Sequence, residues 1–524
     1  MQQTIPKQSK CFLGIKINQE NLILLFFIFI SLVISLFPVH YGYFRDELYF
    51  IALSKHLAFG YVDIPPLLPL CVAIVHFLFD TSLFTTKLIP AFCSVAVIIL
   101  TRAMVKKLSG RLFAQTLALV CVVFAPAYFN EGWVLSVTAL DRVFWAACLY
   151  MILLLLTSEN KKYWLYFGFF AGLGLLSKIT ILWLGFSIVI SLLFTRNRKY
   201  FLSWQLWAGG VIAFLMLTPY LIWIAQHQFL TIEFFSNYTG KTQPLSILTF
   251  IKSQIVFMNI AAAFVWILGL CYFIFNREGK KFRLLGFAYI IIGAICIIQN
   301  AKLYVIFPYY PILFAGGAFF IEQLTTKLNF YFKAAYILLI VIVAMIWLPM
   351  MRPILPVDVF IKYSNALHLF KSHQQSPTEK LQLGLLPQWL SDCFGWQEMT
   401  QEVARIYYSL PKRQREDTHI VTRNYGEAAA IDFYRKKYNL PAPISQHIQY
   451  FVWGYGTATA KSTFIFVGYQ DRLTDLKHDC KELKIVGKIY NKYGIPEENQ
   501  PIYLCTGLNK PIKEAWEDGK FMHM

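Results

Sequence analysis

The sequence predicts a polytopic α-helical membrane protein followed by a small C-terminal α/β domain. Of its 524 residues, 57% are hydrophobic and 15% are charged, whereas soluble chains carry about 25% charged residues. Apolar runs long enough to cross a bilayer recur from residue 21 to about residue 351. From residue 352 onward the composition becomes that of an ordinary globular domain. We therefore expect a transmembrane domain over residues 1–351 and a second domain over residues 352–524.

The membrane part is predicted to contain about 11 transmembrane helices, because each apolar run approaches the roughly 20 residues that span hydrocarbon. The predicted spans are residues 21–38, 86–104, 112–128, 141–156, 163–177, 180–195, 205–225, 253–275, 284–299, 303–321 and 331–351.

The net charge of +19 is best explained by membrane topology. Residues 1–351 hold 26 Lys and Arg against 11 Asp and Glu, whereas residues 352–524 hold 22 against 18. Most of the excess lies in short connections between spans, which indicates contact with anionic lipid and no nucleic-acid partner. Alternate connections are rich in basic residues, beginning with Lys7, Lys10 and Lys16. The positive-inside rule then places the amino terminus in the cytoplasm and residues 352–524 outside, in the extracytoplasmic (periplasmic) space.

The ten cysteines predict no metal site, since most stand alone inside apolar spans and none has zinc-ligand spacing. Whether Cys480 and Cys505 form a disulfide stays open at this point. No cofactor is predicted with certainty, and a divalent metal ion remains an open possibility.

The connection over residues 39–85 is too long for a turn and too apolar for a solvated loop. Asp46–Phe59 has apolar residues at helical spacing, and a second apolar segment, Leu67–Phe79, is too short to span the bilayer. Two short helices lying in the interface would satisfy their own backbone groups. We therefore predict two interfacial helices on the outer side.

The carboxylates of this connection are the first candidates for chemistry. Asp46, Glu47 and Asp63 lie where apolar helices meet water, and charges held there are costly and tend to mark function. A carboxylate at this boundary can act as general base for an acceptor hydroxyl. The alternative is structural: Asp46 or Glu47 stabilises a helix amino terminus, and Asp63 has helix-capping spacing before Pro65.

Basic residues at the same level are candidates for binding a lipid phosphate. Arg45 adjoins the acids, and Lys178 and Lys302 each follow an apolar span on the outer side. Such cations could bind a phosphate and stabilise it as it leaves. The alternative for both lysines is a snorkelling anchor at the membrane surface.

Several motifs resemble those of bacterial membrane glycosyltransferases. They are HYGYFRDELYF (residues 40–50), GYVDIPP (60–66), Leu140-Asp141, GLGLLSK (172–178), KLYVIFPYYP (302–311) and Asn424-Tyr425-Gly426-Glu427. In order and spacing they resemble relatives of the dolichyl-phosphate-mannose protein mannosyltransferases and of the lipid A aminoarabinose transferase, and they extend over nearly the whole chain.

The resemblance implies the GT-C architecture and an inverting transfer from a polyprenyl-phosphate sugar. It implies a catalytic role for Asp46, a second acidic role for Asp63 and a phosphate-binding role for Lys302. Asp141 is a possible secondary residue or a structural acid at a helix start. Departures such as Ile64 before the two prolines leave the sugar and the acceptor open.

The sequence features are compatible with two functions. The first is an enzyme of the plasma (inner) membrane that moves a sugar to a lipid, glycan or protein acceptor. The second is a transporter or flippase of lipid-linked sugar that breaks no bond. Transporters usually have internal repeats and polar or broken helices near the bilayer midplane. Here the rare charges collect at the outer face, which favours the enzyme.

Overall fold

The structure is a computed structural model that describes residues 11–12, 15–16, 18–37, 41–238, 246–372, 374, 383–493 and 499–523. Of the sequence features above, Lys7, Lys10 and His40 lie outside these residues. A short antiparallel pair, β1 (Cys11–Phe12) and β2 (Ile15–Lys16), precedes the first helix.

The first part of the chain is helical. Its helices are α1 (Gln19–Leu36), α2 (Arg45–Ser54), α3 (Leu67–Leu78), α4 (Leu83–Lys107), α5 (Leu112–Val123), α6 (Pro126–Glu131), α7 (Val137–Ser158), α8 (Tyr163–Leu175), α9 (Ile181–Leu193), α10 (Trp204–Gln226), α11 (Leu230–Tyr238), α12 (Ile247–Phe257), α13 (Ala263–Ile274), α14 (Arg283–Ile298), α15 (Tyr310–Leu324) and α16 (Phe330–Met351). Short 3₁₀ turns at Arg196–Leu202, Ile260–Ala262, Glu278–Phe282 and Leu303–Tyr309 join several of them.

Among the described residues, 7 helical segments are long and apolar enough to cross a membrane, or 9 if each of two bent pairs forms one span. The bent pairs turn by 110° near residue 195 and by 101° near residue 259. This is fewer than the expected eleven, because the predicted spans 112–128 and 163–177 form the helices α5 and α8, of 12 and 13 residues. The prediction of a multi-span helical membrane protein is confirmed, whereas the number of helices long enough to span the membrane is lower than predicted.

Close helix packing in this bundle depends on glycine. A β-carbon on Gly168 of α8 would lie 2.1 Å from the carbonyl oxygen of Gly209 in α10, and one on Gly269 of α13 would lie 2.0 Å from that of Leu313 in α15. Backbones can approach to this degree only where no side chain intervenes, as is common between membrane helices.

The first connection, between α1 and α4, forms the two short helices expected from the sequence, α2 and α3. Between them the chain turns at Tyr61, whose amide donates to the carbonyl oxygen of Ile64 at 3.1 Å. The amide of Leu67, at the start of α3, donates to the carbonyl oxygen of Leu176 at 2.9 Å. This bond holds the segment between α2 and α3 against the turn between α8 and α9.

The remaining residues form helices around a small sheet. The helices are α17 (Val357–Ala366), α18 (Gln388–Ser391), α19 (Trp396–Ser409), α20 (Lys412–Arg415), α21 (Tyr425–Tyr438), α22 (Ile448–Trp453), α23 (Leu473–Asp479) and α24 (Ile512–Asp518). The strands are β3 (Thr418–Thr422), β4 (Ile444–Ser445), β5 (Thr463–Val467), β6 (Leu483–Lys488) and β7 (Pro501–Thr506). Their order is β4-β3-β5-β7-β6, parallel over β4-β3-β5 and antiparallel over β5-β7-β6. Cys480, at the end of α23, and Cys505 of β7 form a disulfide.

The sheet region packs directly on the first connection. Leu48 and Ile51 of α2 are buried in the same apolar cluster as Ala428 and Ile431 of α21. This contact brings the predicted acids of α2 next to the start of α21. The two-domain division at residue 351 stays a prediction, although α16 ends there.

Candidate functional site

Helix α2 carries Asp46 and Glu47 in its first turn, where the helix dipole favours negative charge. The backbone amide of Phe44, which precedes the helix, donates to Glu47 Oε2 at 3.0 Å. Part of the structural interpretation is therefore right, since Glu47 closes the start of the helix. Asp46 is partly exposed, whereas Glu47 is fully buried.

Glu47 joins α2 to α4. Its Oε1 accepts from the amide of Leu135 at 2.8 Å and forms a buried ion pair with Lys87. The Lys87 ammonium also lies 4.2 Å from the centre of the Trp133 ring. A charge buried to this degree needs such partners, so Glu47 serves the packing of α2 against α4.

Asp46 has a different partner. The hydroxyl of Tyr425, the first residue of α21, donates to Asp46 Oδ1 at 2.7 Å. Tyr425 is 8% exposed, so the bond forms largely away from water. The motif around residue 425 was noted in the sequence, but nothing local indicated that its tyrosine reaches Asp46.

Asp63 lies in the same cluster. Its Oδ1 accepts from the hydroxyl of Tyr49 at 2.7 Å, and the Tyr49 and Tyr425 rings are 4.9 Å apart. Burial raises the pKa of Asp63 to about 7, and the negative charge of Asp46 acts in the same direction. Asp46, Asp63, Tyr49 and Tyr425 are called the acid cluster below. The two acids predicted from the sequence are therefore brought together.

The predicted lysines form a second group. Lys178 Nζ donates to Thr138 Oγ1 at 3.1 Å and lies 4.7 Å from the centre of the Tyr304 ring. Burial lowers the pKa of Lys178, and the positive charge of Lys302 lowers it further, while Asp141 and Glu131 oppose that change. Lys178 and Lys302 are called the lysine pair below. Two positive charges that act on each other favour binding of an anion.

Two buried acids, Asp141 and Glu131, act on Lys178. Asp141 is fully buried, and its Oδ2 accepts from Thr180 Oγ1 at 3.0 Å. Glu131 lies 3.6 Å from Arg142, and burial raises the pKa of Glu131 to about 7. Sequence reasoning did not include Glu131, although the scarcity of acids in this half could have indicated it.

The acid cluster and the lysine pair lie on neighbouring connections. The Leu67 to Leu176 bond described above joins the segment that carries Asp63 to the turn that carries Lys178. The structure therefore brings the connection that carries Asp63 into contact with the turn that carries Lys178.

Arg45 is engaged elsewhere. Its Nη2 lies 3.2 Å from Asp392 Oδ1, its amide donates to the Asp392 carbonyl oxygen at 3.1 Å, and its guanidinium is 5.9 Å from the centre of the Trp396 ring. A phosphate at Arg45 would compete with Asp392. The contacts favour a role in joining α2 to the sheet region, and the predicted phosphate-binding role stays a prediction.

In the part of the chain that the structure describes, no three His, Cys, Asp or Glu side chains are grouped so as to hold a metal ion. Metal dependence therefore stays open.

Part of the chain matches a known protein family. Residues 63–223 match the model of the dolichyl-phosphate-mannose-protein mannosyltransferase family. The matched stretch includes Asp63, Asp141 and Lys178. The search of curated proteins found no match.

The fold is similar to that of a solved membrane protein over almost its full length. ArnT from Cupriavidus metallidurans in the apo state has a TM-score of 0.58 and 11% identity, covering 92% of this chain and 97% of that chain. The chain has the GT-C fold. The fold implied by the resemblance of the motifs is thereby confirmed.

Two further structures extend the comparison of this GT-C fold. ArnT bound to undecaprenyl phosphate has a TM-score of 0.57 and 12% identity, with the same coverage of 92% and 97%. The oligosaccharyltransferase of Archaeoglobus fulgidus has a TM-score of 0.46 and 14% identity, covering 79% of this chain and 63% of that chain. The second likeness is too weak to support any assignment.

Proposed function

We propose that this chain is an inverting glycosyltransferase of the plasma (inner) membrane. It transfers a sugar from a polyprenyl-phosphate donor to a lipid, glycan or protein acceptor on the extracytoplasmic side. The observation that supports the proposal is that, in a GT-C fold, the connection carrying Asp63 of the acid cluster is hydrogen-bonded to the turn carrying Lys178 of the lysine pair. The proposal is supported by the match of residues 63–223 to a mannosyltransferase family.

Asp46 is the proposed catalytic carboxylate. The acceptor oxygen attacks the anomeric carbon, the bond from that carbon to the phosphate oxygen breaks, and polyprenyl phosphate leaves. Asp46 takes the proton from the acceptor hydroxyl as its oxygen attacks. Where the acceptor is itself a phosphate, a base is hardly needed, and Asp46 then orients it.

The lysine pair is proposed to bind the phosphate of the donor. An anion bound between two ammonium groups reduces the repulsion between them. The ammonium groups in turn stabilise the charge that develops on the leaving phosphate. Glu131 and Asp141 offset part of that charge before the donor binds. ArnT bound to undecaprenyl phosphate supports a donor of this class for the fold.

Asp63 is proposed as the second acidic residue of the site. With a pKa near 7, it carries a proton for about half of the time at neutral pH. A carboxyl group in this state can donate a hydrogen bond to a sugar hydroxyl, whereas an ionised one only accepts. Asp63 and Asp46 belong to the same acid cluster, so both carboxyl groups lie at the proposed transfer site.

The experiment uses the purified full-length protein in detergent with undecaprenyl-phosphate sugars of several kinds, and it measures release of undecaprenyl phosphate. We expect release by the unaltered protein and a decrease of kcat by about 10²- to 10⁴-fold in Asp46→Asn, since general-base catalysis contributes that much. The matched control is Asp80→Asn, which changes an exposed acid of the same connection.

Full activity in Asp46→Asn would remove Asp46 from catalysis. Movement of intact donor across vesicle membranes without release of undecaprenyl phosphate would contradict the transferase and favour the flippase.

A further inference from the structure

The segment Asn424–Glu427 at the start of α21 is held more firmly than an ordinary helix end. Asn424 Oδ1 accepts from the amides of Gly426 at 2.9 Å and Glu427 at 3.1 Å. The buried Glu427 carboxylate accepts in return from the amide of Asn424 at 3.1 Å. This reciprocal cap satisfies amides that a helix otherwise leaves open at its amino end.

The amide of Tyr425 has its own acceptor. It donates to His447 Nδ1 at 3.0 Å, and His447 is 1% exposed. Because the amide can only donate, Nδ1 carries no proton, and Nε2 then donates to the carbonyl oxygen of His523. The position of the Tyr425 backbone is therefore set by the cap on one side and by His447 on the other.

Gly426 lets this helix start approach α2. A β-carbon at Gly426 would lie 2.6 Å from Cγ and 2.8 Å from Cδ of Arg45. With the two helices this close, the Tyr425 hydroxyl reaches Asp46 Oδ1 at 2.7 Å. The cap at Asn424 and Glu427 and the close approach at Gly426 thus help to bring the Tyr425 hydroxyl to the Asp46 carboxylate.

We propose that Tyr425 is a positioning residue that orients Asp46 for sugar transfer, held in place by Asn424, Gly426 and His447. The inference rests on the proposed function. Among the described residues, Tyr425 is the one hydrogen-bond partner of the Asp46 side chain. With Oδ1 held, the carboxylate keeps one orientation, and its second oxygen is directed at the acceptor. Without the hydroxyl, the carboxylate rotates, and fewer bound substrates meet it in reactive geometry.

The first test compares Tyr425→Phe with Tyr450→Phe. Tyr450 is a matched control, because it is 4% exposed and lies in the same aromatic group, and its hydroxyl has no hydrogen-bond partner within the described residues. We expect Tyr425→Phe to lower kcat by about 10- to 100-fold, as expected for loss of a hydrogen bond to a charged group, with the KM of the polyprenyl-phosphate sugar changed by less than about twofold. Tyr450→Phe should keep both values.

A second test uses two variants of His447. Asn places its side-chain oxygen near the position of Nδ1 and can still accept from the Tyr425 amide, whereas Gln places its amide near Nε2 and leaves the Tyr425 amide without that acceptor. We expect His447→Asn to retain more kcat than His447→Gln, again at similar KM. If Tyr425→Phe yields no monodisperse protein, the comparison of His447→Asn with His447→Gln tests the positioning role of Tyr425.

Unchanged kcat in Tyr425→Phe would overturn the positioning role, as would equal losses in Tyr425→Phe and Tyr450→Phe, since these indicate a general packing effect. His447→Gln retaining as much kcat as His447→Asn would have the same consequence. These outcomes require an active unaltered protein. If that protein releases no undecaprenyl phosphate from any donor, the proposed function is wrong instead.

Discussion

The two carboxylates of the acid cluster differ in their surroundings although both accept from a tyrosine hydroxyl at 2.7 Å. Asp46 lies in the first turn of α2. Asp63 lies on the turn between α2 and α3, where burial raises its pKa to about 7.

Glu47 is next to Asp46 in sequence, but its carboxylate forms a buried ion pair with Lys87. Asp46 and Glu47 therefore contact different parts of the protein, because successive side chains of a helix point about 100° apart.

Asp63 makes stability depend on pH. Its pKa is about 4 in an unfolded chain and about 7 in the fold, so between these values the folded state binds more protons than the unfolded one. The free energy of unfolding then falls as pH rises from about 4 to about 7 and is level above that. We expect the melting temperature in detergent to fall from pH 5 to pH 7.5 more steeply in the unaltered protein than in Asp63→Asn.

The variant keeps an oxygen that can accept from Tyr49, so the comparison isolates the charge. Equal slopes for both proteins would contradict a raised pKa at Asp63.

At the scale of elements, the contact between α8 and α10 shows how close the helices of this bundle lie. Gly209 is buried, and a β-carbon on it would lie 2.3 Å from the carbonyl oxygen of Trp164. Its neighbour Gly210 has nothing within 4 Å of the same position. Two adjacent glycines of one helix therefore differ in whether a side chain fits.

We expect Gly209→Ala to destabilise the protein by about 1–3 kcal/mol, as overpacking does, because α8 and α10 must move apart. Gly210→Ala, the matched control, should leave stability unchanged or raise it slightly, since alanine favours helix over glycine. Thermal unfolding of the detergent-solubilised proteins measures both. Similar melting temperatures for the two variants would show that the contact between α8 and α10 is looser than described.

For the whole molecule, the contact between α2 and the sheet region couples the two parts of the chain. Lys55 pairs with Asp432 at 3.3 Å, and Arg45 pairs with Asp392 at 3.2 Å. If residues 352–524 are outside, the first connection must be outside too, in agreement with the expected topology.

Labelling with a membrane-impermeant thiol reagent in intact cells tests that topology. Thr457→Cys introduces a thiol at an exposed position of the sheet region, and Ser158→Cys does so at the exposed end of α7, on the side expected to be cytoplasmic. We expect labelling of the first without permeabilisation and of the second only after it. The unaltered chain provides the background, and the reverse pattern would place the acid cluster inside and end the proposed function.

The sequence alone determined the membrane class, the two short helices of the first connection and the presence of a small α/β region after residue 351. These depend on hydropathy and on periods of a few residues, which are local properties. It also indicated Asp46 and Asp63, because carboxylates are rare and costly beside apolar helices. The number of long spans was not determined this way, since an apolar run does not reveal where a helix bends or stops.

Only the tertiary structure decided which partners these residues meet. Tyr425 and Asp46 are 379 positions apart, and Arg45 and Asp392 are 347 apart. No local pattern predicts such pairs, because they form only after the helices and the sheet have packed. Glycine at 426 appears in the sequence as one letter of a motif, and the structural reason for it is that a β-carbon there would lie 2.6 Å from the side chain of Arg45 in another helix.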